Sequence, residues 1–295
     1  MVTTPAQSPA CEGFVQRVGN GLVVNGDDIF LNGINLAWVN WGSDWDSDEA
    51  ISFCAIEGAL RFLVQSGGNA IRLWVFSEPN RLLTKGLDGQ ILGVHYRVFR
   101  NLQAILELAT HYGVRIVLTL FNGALVRSRE DCNLFSKLDQ LNALASRVVG
   151  PLAAALKGYE SLAMWEVANE LGGILDTTQT AGHTYCTDVT AAAVRCPGSA
   201  NAGGWNEACR LPIQQLQRFV NVLAAAIKQA DRHHLVTLGA WSFCVSSEIR
   251  YGTTRTKNLW ADECLRQAGG MQNGTIDVRA ARTLSNSAFQ SPYSL

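Results

Sequence analysis

Five times between Gly33 and Trp241 the chain repeats one pattern: a short run apolar on both faces, then a longer segment with apolar residues at helical spacing. The runs are Gly33 to Trp38, Ala70 to Phe76, Arg115 to Phe121, Leu162 to Ala168 and Leu235 to Trp241. Strands apolar on both faces belong to a parallel sheet covered by helices. The intervening stripes, such as Val98, Leu102, Ile105, Leu106 and Ala109, or Leu216, Phe219, Val220, Leu223 and Ile227, supply that cover. Repeated βα units close into a barrel or spread into a doubly wound sheet. No Gly-x-Gly-x-x-Gly follows any run, which removes the usual dinucleotide-binding form of the second alternative and puts the barrel ahead.

Before the first run, Phe14 to Phe30 alternates apolar and polar residues around Gly19-Asn20-Gly21 and Asn25-Gly26-Asp27, the pattern of a small hairpin. After the last, the spacing predicts a helix over Asp262 to Ala268 and a sixth strand over Gly274 to Val278. The chain thus divides into a Thr/Pro/Ser-rich tail (1–13), an α/β barrel with six recognisable strands (14–278) and a patternless tail (279–295).

The length of 295 residues, with 47% hydrophobic content, suits a single barrel with a large core. A formal net charge of -1 offers no field for a phosphate backbone, so nucleic acid is not an expected partner. No apolar run approaches the roughly 20 residues that span a bilayer, so neither is a membrane. The first ten residues lack the charged and apolar regions of a secretory signal. Eight cysteines, evenly countable and without a Cys-x-x-Cys pair, suit disulfides better than zinc, and Cys186, Cys196 and Cys209 share one long Gly/Ala/Asn-rich stretch. Their pairing is not deducible. His183, His233 and His234 have no metal-ligand spacing and read as surface or loop residues. Asn273-Gly274-Thr275 matches a glycosylation acceptor.

Catalytic groups of parallel barrels stand at the carboxyl ends of the strands. Here those ends offer Asn35, Trp38, Asn40 and Trp41, then Arg72 and Trp74, Phe121 and Asn122, Asn169 and Glu170, and Trp241. Aromatics, amides, an arginine and a carboxylate on one rim suit a sugar, whose ring stacks on aromatic faces and whose hydroxyls need planar polar partners. Taken singly, each Trp also fits the core, and Glu170 also fits an ordinary helix start. Arg72, inside an apolar strand, must meet a carboxylate or carbonyls, either as a core ion pair or to orient a catalytic carboxylate.

Four segments in order are specific: Leu31-Asn32-Gly33-Ile34-Asn35-Leu36-Ala37-Trp38, Asn69-Ala70-Ile71-Arg72-Leu73-Trp74, Trp165-Glu166-Val167-Ala168-Asn169-Glu170 and Val236-Thr237-Leu238-Gly239-Ala240-Trp241-Ser242. Over roughly Phe14 to Asp277 they resemble glycoside hydrolase family five, and in particular its animal-type endo-β-1,4-mannanases. The resemblance implies a TIM-type (β/α)8 barrel that cleaves internal β-1,4 links of mannan-type polysaccharides with retention, needs no cofactor or metal, and works as an extracellular monomer. It implies Glu170 as acid/base, Asn169 on the sugar's 2-hydroxyl, Arg72 beside the nucleophile, and Trp38, Trp74, Asn122 and Trp241 lining the subsites.

The sequence departs from the family in two places. Leu171 stands where the family has Pro after its Asn-Glu pair. Beyond the sixth strand the family's His-Tyr pair, glutamate nucleophile and final Trp are not found, and no Glu follows Glu263. The expectation is therefore a C-terminally truncated or frame-altered relative without an identified nucleophile. The alternative to a hydrolase is a catalytically inactive carbohydrate-binding barrel, and open edges on strands one and six would favour association or an unstable product.

Overall fold

The computed structural model describes residues 13–46, 50–178, 184–190, 203–248, 250–251 and 254–281. Six parallel strands form its central sheet: Gly33–Asn35, Ala70–Trp74, Arg115–Asn122, Leu162–Asn169, Leu235–Ala240 and Val278–Ala281. Each pairs with the next in chain order. A doubly wound sheet reverses direction at a switch point, whereas this one always advances the same way, as strands of a β/α barrel do.

The sixth strand corrects the sequence expectation. It was expected over 274–278 but occupies Val278–Ala281, pairing Thr237 with Val278 and Ala240 with Ala281, and so runs past the boundary at 278. The apolar Ile276 suggested an earlier start, yet it packs into the core from a loop. Asp277 then fixes the entry: its carboxylate accepts from Val236 N at 2.9 Å and from Lys228 Nζ at 2.6 Å.

The hairpin before the barrel is a three-stranded antiparallel sheet of Gln16–Val18, Gly21–Val24 and Asp27–Ile29. Outside the barrel strands, helix Tyr96–Tyr112 buries the stripe Val98, Leu102, Ile105, Leu106 and Ala109, and helix Ile213–Ala230 buries Leu216, Phe219, Val220, Leu223 and Ile227. Helix Asp262–Gly269 follows. Strand four is buried along its whole length. Against strand five it spends three steps, Glu166 to Asn169, where its neighbour spends two, Thr237 to Gly239. Such a bulge re-aims the side chains beside it.

Two disulfides pin the segment between strand four and helix Ile213–Ala230. Cys132–Cys209 ties it to the helix Arg129–Ser136, and Cys186–Cys264 ties it to helix Asp262–Gly269. Cys244 is disulfide-bonded as well, and Cys54 is free and exposed. Cys11, Cys196 and His183 lie outside the described residues.

At the barrel floor His234 stands in a loop, as expected, but a buried one: its Nδ1 lies 2.6 Å from Asp231 Oδ2, its Nε2 lies 3.0 Å from the Tyr159 carbonyl, and the Phe14 ring meets it edge-on. Asp231 also accepts from Trp165 Nε1 at 2.8 Å and from His233 N at 2.9 Å. Burial pushes its carboxyl upward, but the His234 contact and the Trp165 and backbone donors outweigh that and hold it below the ordinary carboxylate value. Neighbouring His233 is exposed and stacks on Phe14.

Candidate active site

Strand four delivers Asn169 and Glu170 to the mouth of the barrel, both more than nine-tenths buried. Glu170 sits at φ 50°, in the left-handed region that a side chain rarely adopts. Three backbone bonds hold it there. Glu170 N donates to Gly239 O at 2.7 Å, Gly123 N to Asn169 O at 2.8 Å, and Gly173 N to Glu170 O at 2.9 Å. Strain of this kind persists where surrounding structure over-determines the backbone, and it concentrates at functional sites. Leu171, in place of Pro, opens a buried 3-10 turn over Leu171–Ile174, so the loop is well packed without the proline.

Behind Glu170 lies a network that spans four strands. Arg72 Nε donates to Glu166 Oε2 at 2.7 Å and Nη2 to Glu166 Oε1, a two-pronged ion pair. Nη2 also donates to Asn169 Oδ1 at 2.9 Å and Nη1 to Asn35 Oδ1 at 2.8 Å. Asn169 Nδ2 in turn donates to Asn122 Oδ1 at 3.1 Å. The guanidinium's rigid fork fixes the Glu166 carboxylate and one Asn169 oxygen at once, which a lysine in the same place would not do. Gly239 makes room, because a Cβ there would lie 2.3 Å from Glu166 Oε1 and 3.3 Å from Arg72 Nη2.

Glu166 lies inside strand four, away from the strand-end candidates. Its signal was available: a carboxylate in the middle of a fully apolar strand has the same problem as Arg72, and each answers the other.

The aromatic residues divide into two groups. Trp38 meets Trp41 and Trp74 edge-on, with ring centroids 4.5 and 5.4 Å away, and the Arg72 guanidinium lies 5.1 Å from the Trp74 ring. The loop that carries Trp38 and Trp41 is pinned by Asp44, which accepts from Asn40 N at 2.8 Å and Ser52 Oγ at 2.9 Å; burial pushes its carboxyl above the ordinary value. Trp45 Nε1 donates to the Trp74 carbonyl at 2.7 Å, while Trp74 Nε1 is buried without a hydrogen-bond partner among the described residues. Beyond the Asn122–Asn169 pair, Trp241 packs against Trp205 at 4.9 Å. Trp205 was not anticipated, since it lies in an irregular loop with no periodic signal. The structure thus brings Arg72, Asn122 and Asn169 into one hydrogen-bonded cluster with Trp38 and Trp74 beside it, and it sets Glu170 and Trp241 at the ends of strands four and five.

A parallel barrel whose strand ends combine an Asn-Glu pair, a carboxylate-locked arginine and tryptophan walls has the construction of a sugar-cleaving enzyme. No protein-family model matches the chain. A mannan endo-1,4-beta-mannosidase from Cryptopygus antarcticus is 31% identical over 97% of this chain and 72% of its own length, and one from Mytilus edulis is 29% identical over 94% and 73%. The solved structure of beta-1,4-D-mannanase from Cryptopygus antarcticus superposes with a TM-score of 0.83 at 30% identity, over 94% of this chain and 73% of that one. Endo-1,4-beta-mannanase from Eisenia fetida gives 0.82 at 29%, over 92% and 72%. The chain belongs to the endo-β-1,4-mannanases, the mannan endo-1,4-beta-mannosidase family of glycoside hydrolases.

Proposed function

We propose that this chain acts on internal β-1,4-mannosidic bonds of mannan-type polysaccharides, with Glu170 as the acid/base. The observation that carries this reading is the placement of Glu170: a strained backbone holds its carboxylate at the barrel mouth, beside an Asn169 whose amide is fixed by Arg72 and Asn122. Glu170 protonates the leaving glycosidic oxygen and then takes a proton from water. Asn169 meets the 2-hydroxyl, and Trp38, Trp74 and Trp241 supply stacking faces. The disulfides fit an extracellular, oxidising setting.

A second reading, carbohydrate binding without turnover, is favoured by the position of Glu166. Double displacement needs a second carboxylate about 5 Å from the first. Four residues along a strand amount to about 13 Å of rise, and Glu166 is committed to Arg72. Reducing-sugar release from a β-mannan by the purified chain, against Glu170→Gln protein, separates the two. Release that disappears in the variant supports hydrolysis through Glu170; binding of mannan by both, with release from neither, supports the second reading.

A further inference from the structure

The chain's single Asn-x-Ser/Thr triplet, Asn273-Gly274-Thr275, takes no part in the chemistry above. It stands between helix Asp262–Gly269 and strand Val278–Ala281, and Asn273 is exposed there. The turn is fixed from beneath. Fully buried Asn221 donates from Nδ2 to the carbonyls of Met271 and Gly274, both at 2.8 Å, and accepts from Met271 N at 3.0 Å. Gly274 N donates to Met271 O at 3.1 Å, and Arg266 Nε to Gln272 O at 2.9 Å. A Cβ on Gly274 would lie 2.2 Å from the Asn221 carbonyl, so packing requires a glycine in the middle of the triplet. The Asn273 carboxamide takes no share in these bonds and has no hydrogen-bond partner among the described residues. Asp277 N donates to Val236 O at 2.8 Å, which places the turn at the amino ends of strands five and six. The six residues of strand five, about 20 Å of rise, separate it from the mouth.

We infer that Asn273 is a modification site, carrying an N-linked oligosaccharide on the floor of the barrel. The inference rests on the extracellular reading above, because a secretory compartment both closes disulfides and glycosylates Asn-x-Ser/Thr. In the transfer, Asn273 Nδ2 bonds to the anomeric carbon of a polyprenyl-diphosphate-linked oligosaccharide. That carbon's bond to the diphosphate oxygen breaks, the electron pair leaves on the diphosphate, and an amide proton passes to the transferase's base. The triplet is recognised through the hydroxyl of its third residue. In the folded chain Thr275 is buried, and its Oγ1 accepts from Lys228 Nζ at 3.2 Å. Transfer therefore precedes the docking of this turn onto helix Ile213–Ala230, which supplies both Asn221 and Lys228. The finished glycan stands on an exposed residue, breaks no bond of the fold and leaves the mouth open.

The test is expression of the whole chain behind a cleavable secretory leader in insect cells, with intact-mass spectrometry before and after peptide N-glycosidase. The parent should be heavier than its peptide by one oligosaccharide, which the glycosidase releases while converting the Asn273 carboxamide to a carboxylic acid. Asn273→Gln and Thr275→Ala should appear at peptide mass, whereas Thr275→Ser, which keeps a hydroxyl, should still be modified. Removing the glycan should leave mannan affinity within about twofold. Chain refolded without glycan and then offered microsomes with the lipid-linked donor should stay at peptide mass; modification there would overturn the order of events. An oligosaccharide that survives Asn273→Gln overturns the assignment to this residue. Disulfide-bonded parent secreted at peptide mass overturns the site alone and leaves the extracellular reading standing. Peptide mass together with free thiols at Cys132, Cys186, Cys209 and Cys264 overturns the extracellular reading, and the site falls with it.

Discussion

The two ends of the barrel each bury a charged cluster, and the clusters differ in what they leave over. At the floor, Asp231 takes donors from His234, Trp165 and the backbone of His233, and both His234 ring nitrogens have partners. That cluster is closed. At the mouth, Arg72, Glu166, Asn169 and Asn35 also bind one another, but around them Trp74 Nε1, Asn122 Nδ2 and Ser77 Oγ have no hydrogen-bond partner among the described residues. Saturated polar groups stabilise the fold they sit in, whereas buried groups left unpaired cost stability. Burial alone would not have distinguished the two ends, since Asp231, Glu166 and Asn169 are all nearly inaccessible.

The comparison can be broken most forcefully at Glu170. Glu170→Gln should abolish any sugar release while leaving mannan affinity within about twofold and Tm unchanged, as assayed by reducing ends and titration. A stability loss of more than about 1 kcal/mol would show that the mouth is as structural as the floor. Next, Arg72→Ala strands a buried carboxylate and should cost about 3–5 kcal/mol in urea unfolding; Glu166→Gln in the same background should recover part of it, because the uncompensated charge is then gone.

Asp231→Asn should cost about 3 kcal/mol without changing affinity for mannan. Its pH signature has a definite sign. The folded carboxyl lies below its ordinary value, so its stabilisation is present above the unfolded pKa of about 4 and is lost as pH falls through the depressed folded value. Melting temperature should therefore fall more steeply below pH 4 in the parent than in Asp231→Asn. Smallest of the four, Gly239→Ala presses a methyl against Glu166 and should cost about 1–3 kcal/mol, with mannan binding weakened. An unaffected variant would mean that the Arg72–Glu166 pair tolerates displacement.

Much of this was legible in the residues. The apolar runs marked five strands because burial on both faces leaves no polar alternation, and the helical stripes marked the faces that cover them. Arg72 stood out because a guanidinium in an apolar strand needs a partner. The partner itself was harder to see: Glu166 lies one motif away in sequence and becomes adjacent only when strands two and four curve around strand three. The loop position of His234 was legible but its burial was not, since nothing in a loop sequence tells that Asp231 turns back on it and that the Tyr159 carbonyl closes the far side. Disulfide pairing across 77 and 78 residues depends wholly on the fold. The sixth strand started later than its apolar residue suggested because Asp277, which is polar, makes the entry bonds.

The extra residue in strand four sets a condition on length as well as on composition. Successive side chains of a regular strand point to opposite sides, so Glu166 and Asn169, an odd number apart, would diverge, yet both reach Arg72. Opposite strand five an additional step falls between Thr237 and Gly239, while opposite strand three Glu166 to Asn169 stays in step with Thr119 to Asn122. Deleting Val167 or Ala168 would keep every member of the cluster but shift Asn169 and Glu170 out of step with Asn122 on strand three, and mannan titration should show binding lost.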